Sequence, residues 1–359
     1  MADPRRAARA DPVRRRRADP RGGRPGPVAA RARHPLIAGV PHPGRRAPRT
    51  LIALMREPTR SPRRVAAVLA ALALLLSGCA STTPVSEPVA QALGAAPAPD
   101  WSGVSVTADV VYDASTGQSV DVCSSPAPSA EPRPAVLVVH GGSWARGGKA
   151  DANWRPICHW LGSEGFVAVS VDYRLAPAAV FPAQLDDVTA ALDWLLEPEQ
   201  TARFGIDPEQ VAAFGGSAGG NLASLLGTLP ATSSRLAAVV DLSGPSDLSA
   251  AGLADDDPVV GVAAAVRSYL DCADLASCPV ATAASPLAQV DGSEPPFLIA
   301  HAAHERVALS QSTRFAEALR GAGSRVDLLV LPGSLHSIAL LDDALRARVV
   351  EFLRAHLGS

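Results

Sequence analysis

Residues 211 to 227 read VAAFGGSAGGNLASLLG, and this stretch restricts the possible folds more than any other. Small apolar residues, one serine among Gly215, Gly216, Gly219 and Gly220, and then a helical pattern require a strand that turns into a helix in very little space. Glycine loses the most backbone freedom on ordering, so four of them around Ser217 answer a steric demand. A serine presented this way is either a nucleophile on a strained turn or one member of a phosphate-cradling loop. A phosphate loop needs Lys-Ser or Lys-Thr after the glycines, and a dinucleotide loop needs Gly-x-Gly-x-x-Gly; the stretch has neither. Gly-x-Ser-x-Gly between a buried strand and a helix is instead the context of a nucleophile elbow, with the serine held at an unfavourable φ/ψ.

The flanking chain supplies that context. Near-continuous apolar runs occur at 135–141, 166–173, 210–216, 236–244, 297–302 and 326–333, as expected of strands buried on both faces of a parallel sheet. Two half-alternating runs before them, VSVTADVVYD and SVDVCSS, predict an antiparallel start. Amphipathic stretches at 184–197, 310–323 and 342–357 alternate with the strands, which argues for an α/β domain. Residues 245–295 exceed an ordinary connection and predict a helical flap over the sheet's C-terminal edge. Asp255, Asp256 and Asp257 within it fit a solvated loop or helix cap better than a calcium site.

Upstream of residue 103 the composition changes. Residues 1–54 hold 14 Arg, 3 Asp and no Lys, with no sustained apolar period; they read as a disordered leader translated from a start placed too early. The only other methionine is Met55, and after it Arg56, Arg60, Arg63 and Arg64 precede the apolar run Val65–Leu76 and the tetrapeptide Leu76-Ser77-Gly78-Cys79. This order resembles a bacterial lipoprotein signal over residues 55–78. It implies lipidation of Cys79, anchoring to the bacterial cell membrane and an extracytoplasmic domain, with 79–102 as tether. Residues 79–359 carry 15 Lys plus Arg against 31 Asp plus Glu, an acidic body that disfavours nucleic acid as a partner. Four cysteines remain, and export permits disulfides between them in three connectivities. The short loop LDCADLASC favours Cys272 with Cys278, leaving Cys123 with Cys158. A zinc site lacks the needed His or second close Cys pair.

A serine nucleophile needs donors for the developing oxyanion. VVHGGSW ends the third predicted strand about 75 residues before Ser217, and the N–H groups of Gly141 and Gly142 have no side chains to shield them. The N–H of Ala218, at a helix N-terminus, supplies another donor. Together HGGSW…GGK, VDYRLAP…FPAQLDDV, GGSAGGNLA, ASPL and LPGSLH resemble an α/β-hydrolase of the carboxylesterase and hormone-sensitive-lipase-like group, nearest its small bacterial esterase and feruloyl/acetyl-esterase-like branch. The resemblance covers about 103–357. It implies a mostly parallel eight-stranded sheet flanked by helices, with a small flap after strand 6, and makes Asp172-Tyr173-Arg174 and Phe181-Pro182 structural elements behind the site.

The resemblance also places the remaining reactants. His336 in VLPGSLHS stands where the group has its catalytic base. The group's His-Gly-x-x-Asp-x-x-Val reads HAAHERVALSQ here, which puts Glu305 at the acid's position, with Ala302 replacing the glycine. Asp247, Asp342 and Asp343 are alternative acids, and His304 either pairs with Glu305 or faces water. The expected activity is cleavage of short-chain carboxylic esters through an acyl-enzyme, with no cofactor or metal implied. An amide hydrolase uses the same triad, and a non-catalytic surface protein could keep the fold.

Overall fold

The computed structural model describes residues 103–358 except 127, 128, 130 and 258–260. The leader, the signal segment, Cys79 and the tether lie outside the described residues.

All eight predicted strands form: β1 Ser105–Asp113, β2 Gln118–Ser124, β3 Arg133–Val139, β4 Val167–Val171, β5 Ile206–Gly216, β6 Ala238–Leu242, β7 Phe297–Ala302 and β8 Val326–Leu331. They make one sheet in the order β1-β2-β4-β3-β5-β6-β7-β8. β2 alone runs opposite in direction to the other seven strands. Five of the six apolar runs are interior, with β4, β6 and β7 buried throughout, whereas the half-alternating β1 is a largely exposed edge. The apolar run of β8, expected to be buried on both faces, is only half-buried because β8 is the opposite edge strand, with Val330 exposed. β5 begins four residues before its apolar run, where Ile206 pairs with Arg133.

Strand alternation sends successive side chains to two cores. Leu137 and Val139 face one, with α2 (Ala183–Leu195), α4 (Ala218–Thr228) and α6 (Leu309–Gly321) packed on it through residues such as Leu192, Leu222 and Phe315. Val136 and Val138 face the other, covered by α1 (Arg155–Ser163) and α7 (Asp343–Leu357) through Trp160, Leu161 and Leu353. A short α3, Pro198–Phe204, ends the α2 stretch earlier than its apolar pattern, at Leu195.

The chain passes from β3 to β4 on one side and then returns to place β5 on the other. Strand order therefore reverses at β3. In open α/β sheets the crevice beyond the carboxyl ends of the strands at such a point is where ligands bind. His140-Gly141-Gly142 follows β3 and Ser217 follows β5, so both glycine-rich segments open onto that crevice.

Three predicted features settle around it. Tyr173 stacks on His140 at 4.1 Å between ring centroids and donates its hydroxyl to His140 O at 2.8 Å, while Arg174 binds the buried Asp187 carboxylate with Nε and Nη2. The flap contributes α5, Ala263–Leu270, whose buried Tyr269 stacks on Trp144 at 4.3 Å. Asn221 of α4 ties the flap down by donating to Pro245 O and Ala284 O at 3.0 and 3.1 Å. Asp256 accepts from the Val262 and Ala263 amides at the start of α5, the role of a cap. Cys123 faces Cys158 and Cys272 faces Cys278 with Cα separations of 5.7 and 5.6 Å, within the span of a disulfide. Among the described residues no helix is long and apolar enough to cross a membrane.

Candidate active site

Ser217 joins β5 to α4 with φ 55° and ψ −122°, a conformation that strains any residue bearing a Cβ. Hydrogen bonds hold it there: its N–H donates to Leu242 O at 2.8 Å and its carbonyl accepts from Asn221 N at 3.0 Å. The turn also needs glycine where backbones nearly touch. A Cβ on Gly219 would collide with the Val139 and His140 carbonyls, so α4 could not start this close to β3.

The His140 turn faces the elbow. A Cβ on Gly141 would lie 2.6 Å from Gly216 O and 3.3 Å from Ser217 Cβ, and Gly142 has φ 130°, a value that L side chains rarely adopt. Burial lowers the pKa of His140, which packs behind the turn with Nδ1 2.9 Å from Gly141 O. Gly141 and Gly142 border the cavity that Ser217 opens into, whereas Ala218 is buried behind the serine as the first residue of α4. Its N–H is one of the helix-end donors with no intrahelical acceptor.

His336 follows β8 and lines the same cavity, which has a volume of about 360 Å³. Its Nδ1 is hydrogen-bonded to Glu305 Oε2. With Nδ1–H donating to a carboxylate, the neutral ring carries a bare Nε2. That Nε2 is buried and has no partner among the described residues.

Glu305 is fully buried at its side chain and divides its oxygens. Oε2 meets His336, while Oε1 lies 3.0 Å from His301 Nε2 and 3.4 Å from the Ala302 amide. Burial would raise its pKa, but hydrogen bonds from His301, His336 and Ser243 outweigh that and hold it at about 2. His301, buried on β7, is itself fixed: Nδ1 meets Ser312 Oγ at 2.7 Å, and Nε2 also faces Val307 O at 2.9 Å. This pattern fits a neutral ring with its proton on Nε2.

The alternative acids are engaged elsewhere. Asp247 accepts from the Ser249 amide and hydroxyl, Asp342 caps α7 through Leu345 N, and Asp343 borders a groove with Trp160 and Arg346. His304 is exposed, with its amide donating to Gly333 O.

Sequence reasoning did not find Ser243, Arg306 or Trp154. Ser243 has φ 59°, accepts from the Ser337 amide at 3.2 Å and contributes to holding Glu305. Arg306 and the buried Trp154 form part of the cavity wall. A serine after a buried strand, an arginine after an acid and a tryptophan before a helix carry no distinguishing pattern, because their roles arise from tertiary placement.

A BD-FAE family model matches residues 120–319. The esterase LipC of Mycobacterium tuberculosis is 30% identical over 246 residues, covering 66% of this chain and 60% of that protein. The carboxylesterase NlhH of the same organism is 34% identical over 215 residues, covering 56% of this chain and 66% of that one. The chain thus spans slightly under two thirds of the length of these curated relatives. The structure of the Thermogutta terrifontis esterase Est2 superposes with a TM-score of 0.55 at 25% identity, over 72% of this chain and 94% of that one. The sheet order, the strained serine after β5 and the histidine after β8 are those of an α/β-hydrolase, and with the family model matching more than half of its length the chain belongs to the BD-FAE family.

Proposed function

We propose that the protein hydrolyses short-chain carboxylic esters through a Ser217–His336–Glu305 triad. The observation that carries the reading is the state of His336: Nδ1 is engaged by a buried carboxylate, Nε2 has no partner among the described residues, and the ring lines the same cavity as Ser217. A base with that tautomer takes the serine proton as Oγ attacks the carbonyl, then returns it to the leaving alcohol. Glu305 fixes the ring and stabilises the imidazolium. The N–H groups of Gly141, Gly142 and Ala218 stabilise the oxyanion, and water later releases the acyl group. The naming of LipC, NlhH and Est2 as esterases supports ester rather than other acyl substrates. A cavity of about 360 Å³ is at the small end for ligand sites, which favours short acyl groups.

The same reading places the domain outside the cytoplasm, anchored through a lipid on Cys79, with Cys123–Cys158 and Cys272–Cys278 disulfides. The paired positions of those cysteines support the bridges. Incorporation of labelled fatty acid into the protein, lost in Cys79→Ser, tests the anchor.

The catalytic test is hydrolysis of nitrophenyl acetate, butyrate and octanoate, with rates expected to fall as the acyl chain lengthens. Ser217→Ala should abolish turnover, together with labelling by a serine-directed organophosphonate. A folded protein that neither labels nor turns over any ester would overturn the hydrolase reading. Cleavage of matched anilides in preference to esters would replace it with amide chemistry.

A further inference from the structure

Two charged side chains at the cavity have no task in the mechanism above. Arg146 and Arg306 both border it. Arg146 sits on the turn whose glycines offer the oxyanion donors, its amide bonded to Gly142 O at 3.1 Å. Arg306 directly follows Glu305, which is itself immobilised by His301 and His336. Neither guanidinium makes an ion pair or hydrogen bond among the described residues. Arg306 is half-buried, and its Nε is sealed from water without an acceptor.

Other described arginines lack an ion pair too, Arg267 and Arg325 among them, but Arg146 and Arg306 are the two that border the cavity. The body of the protein holds about twice as many acids as bases, and Arg174, Arg235, Arg314, Arg348 and Arg354 all meet carboxylates. Two cations are nevertheless left unpaired where substrate must enter. A buried N–H with no acceptor is unfavourable, and an incoming anion would satisfy it while gaining a charge-assisted bond. Asp151, exposed at the rim, is the acid in the same wall. The wall thus carries two arginines and one aspartate, while the ionised Glu305 lies behind it, engaged by His301 and His336. A singly charged carboxylate asks less of this near-balanced site than a doubly charged phosphate would. The planar guanidinium also presents paired donors that fit carboxylate oxygens.

We propose that Arg306, assisted by Arg146, selects esters that carry a carboxylate close to the scissile bond, such as half-esters of dicarboxylic acids or acyl esters of hydroxy acids. The proposal rests on the ester-hydrolase reading and specifies the substrate class for that site. Arg306 acts by binding this carboxylate and takes no part in bond cleavage.

The test compares kcat/KM for two matched pairs. Para-acetoxybenzoate against para-acetoxybenzamide places the charge on the alcohol side, and nitrophenyl hemiglutarate against nitrophenyl valerate places it on the acyl side. In at least one pair the ratio of charged to neutral substrate should fall roughly 10- to 100-fold in Arg306→Met, the range for a hydrogen bond to a charged group. Arg306→Lys should restore part of it, and Arg146→Met should lower it to a smaller extent. Added salt should reduce the wild-type ratio. Ratios that stay within twofold of wild type in both pairs, while neutral esters are still cleaved in a Ser217-dependent way, would overturn the inference and leave the hydrolase reading intact. Calorimetric titration of para-acetoxybenzoate into Ser217→Ala gives a readout independent of turnover. Titrating nitrophenyl hemiglutarate in the same way covers the acyl side. Binding of either ligand lost when Arg306→Met is added supports the inference even if no ester is cleaved, and binding of both that is indifferent to the change overturns it.

Discussion

Replacing Glu305 by Gln removes one charge from a fully buried position and leaves the shape nearly unchanged. The ionised carboxylate is favoured in the folded protein by its bonds to His301, His336 and Ser243, which bring its pKa from 4.5 to about 2. That difference corresponds to about 3 kcal/mol of stability at neutral pH. Because the folded pKa is the lower one, the contribution is complete above pH 4.5, shrinks as the pH falls, and is gone below about 2. Glu305→Gln should therefore be less stable than the parent by about 3 kcal/mol at pH 7, with the gap narrowing steadily towards pH 3. The amide also turns an N–H₂ toward one of two ring N–H groups, which places donor against donor. Urea-unfolding midpoints at pH 7, 5, 4 and 3, with the slope checked for constancy, measure the gap directly. Ester turnover should drop by about 10³- to 10⁴-fold, as expected when the group fixing the base's tautomer is lost. A stability gap of the same size at pH 7 and pH 3 would show that shape rather than charge matters at this position. A variant more stable than the parent at pH 7 would refute the reasoning outright.

Gly219→Ala should cost about 3 kcal/mol and most of the activity, since the new Cβ meets Val139 O and forces α4 away from β3; thermal unfolding and turnover check both. Arg174→Ala leaves the buried Asp187 carboxylate without its cation and should cost roughly 2–4 kcal/mol in urea unfolding, with part of the loss relieved by solvent on the arginine's exposed side. Asn221→Ala removes both ties from α4 to the flap; about 1–3 kcal/mol of stability should go, and limited proteolysis should cut faster within residues 245–295. Glu305→Asp should retain the charge yet lose about 10-fold or more in kcat, because a side chain shorter by about 1.5 Å cannot reach both His301 and His336 from the same backbone.

The sheet was largely legible because most of its strands are buried on both faces. Such strands are written as near-continuous apolar runs, and β3 to β7 are of this kind; β1, exposed and at the edge, showed only as weak alternation. Ser217 and the Gly141–Gly142 turn were legible for a different reason. Backbones that approach closely accept only glycine, and this requirement is visible in the residue types themselves. The spatial order of the strands was not written locally, since placing β4 and β5 on opposite sides of β3 depends on crossovers that no single segment encodes. Ser243 was illegible because its partners Glu305 and Ser337 lie tens of residues away in the chain, and Arg306 because the cavity it borders is assembled from distant segments. A left-handed serine is made by its surroundings rather than by its own preference.

The glutamate in the acid's position shows how these levels combine. A longer side chain would overshoot a histidine fixed for aspartate unless something held its carboxylate back. Here β7 provides the restraint: His301 and Ala302 pair in register with Val330 and Leu331 of β8, so the ring and amide that receive Oε1 are part of the sheet. Oε1 is thereby anchored to a rigid strand, and Oε2 is left to orient His336 at the end of the neighbouring strand's loop. Ser312 on α6 in turn fixes His301 from behind. The extra methylene is thus absorbed by a second histidine, one that never contacts the cavity. The departure from Gly and Asp in HAAHER is then coherent: Ala302 fits as a buried strand residue, and Glu305 spans from the strand to the His336 ring. On this view the altered loop is a different mechanical solution to holding the same imidazole, and it argues against a site that has decayed.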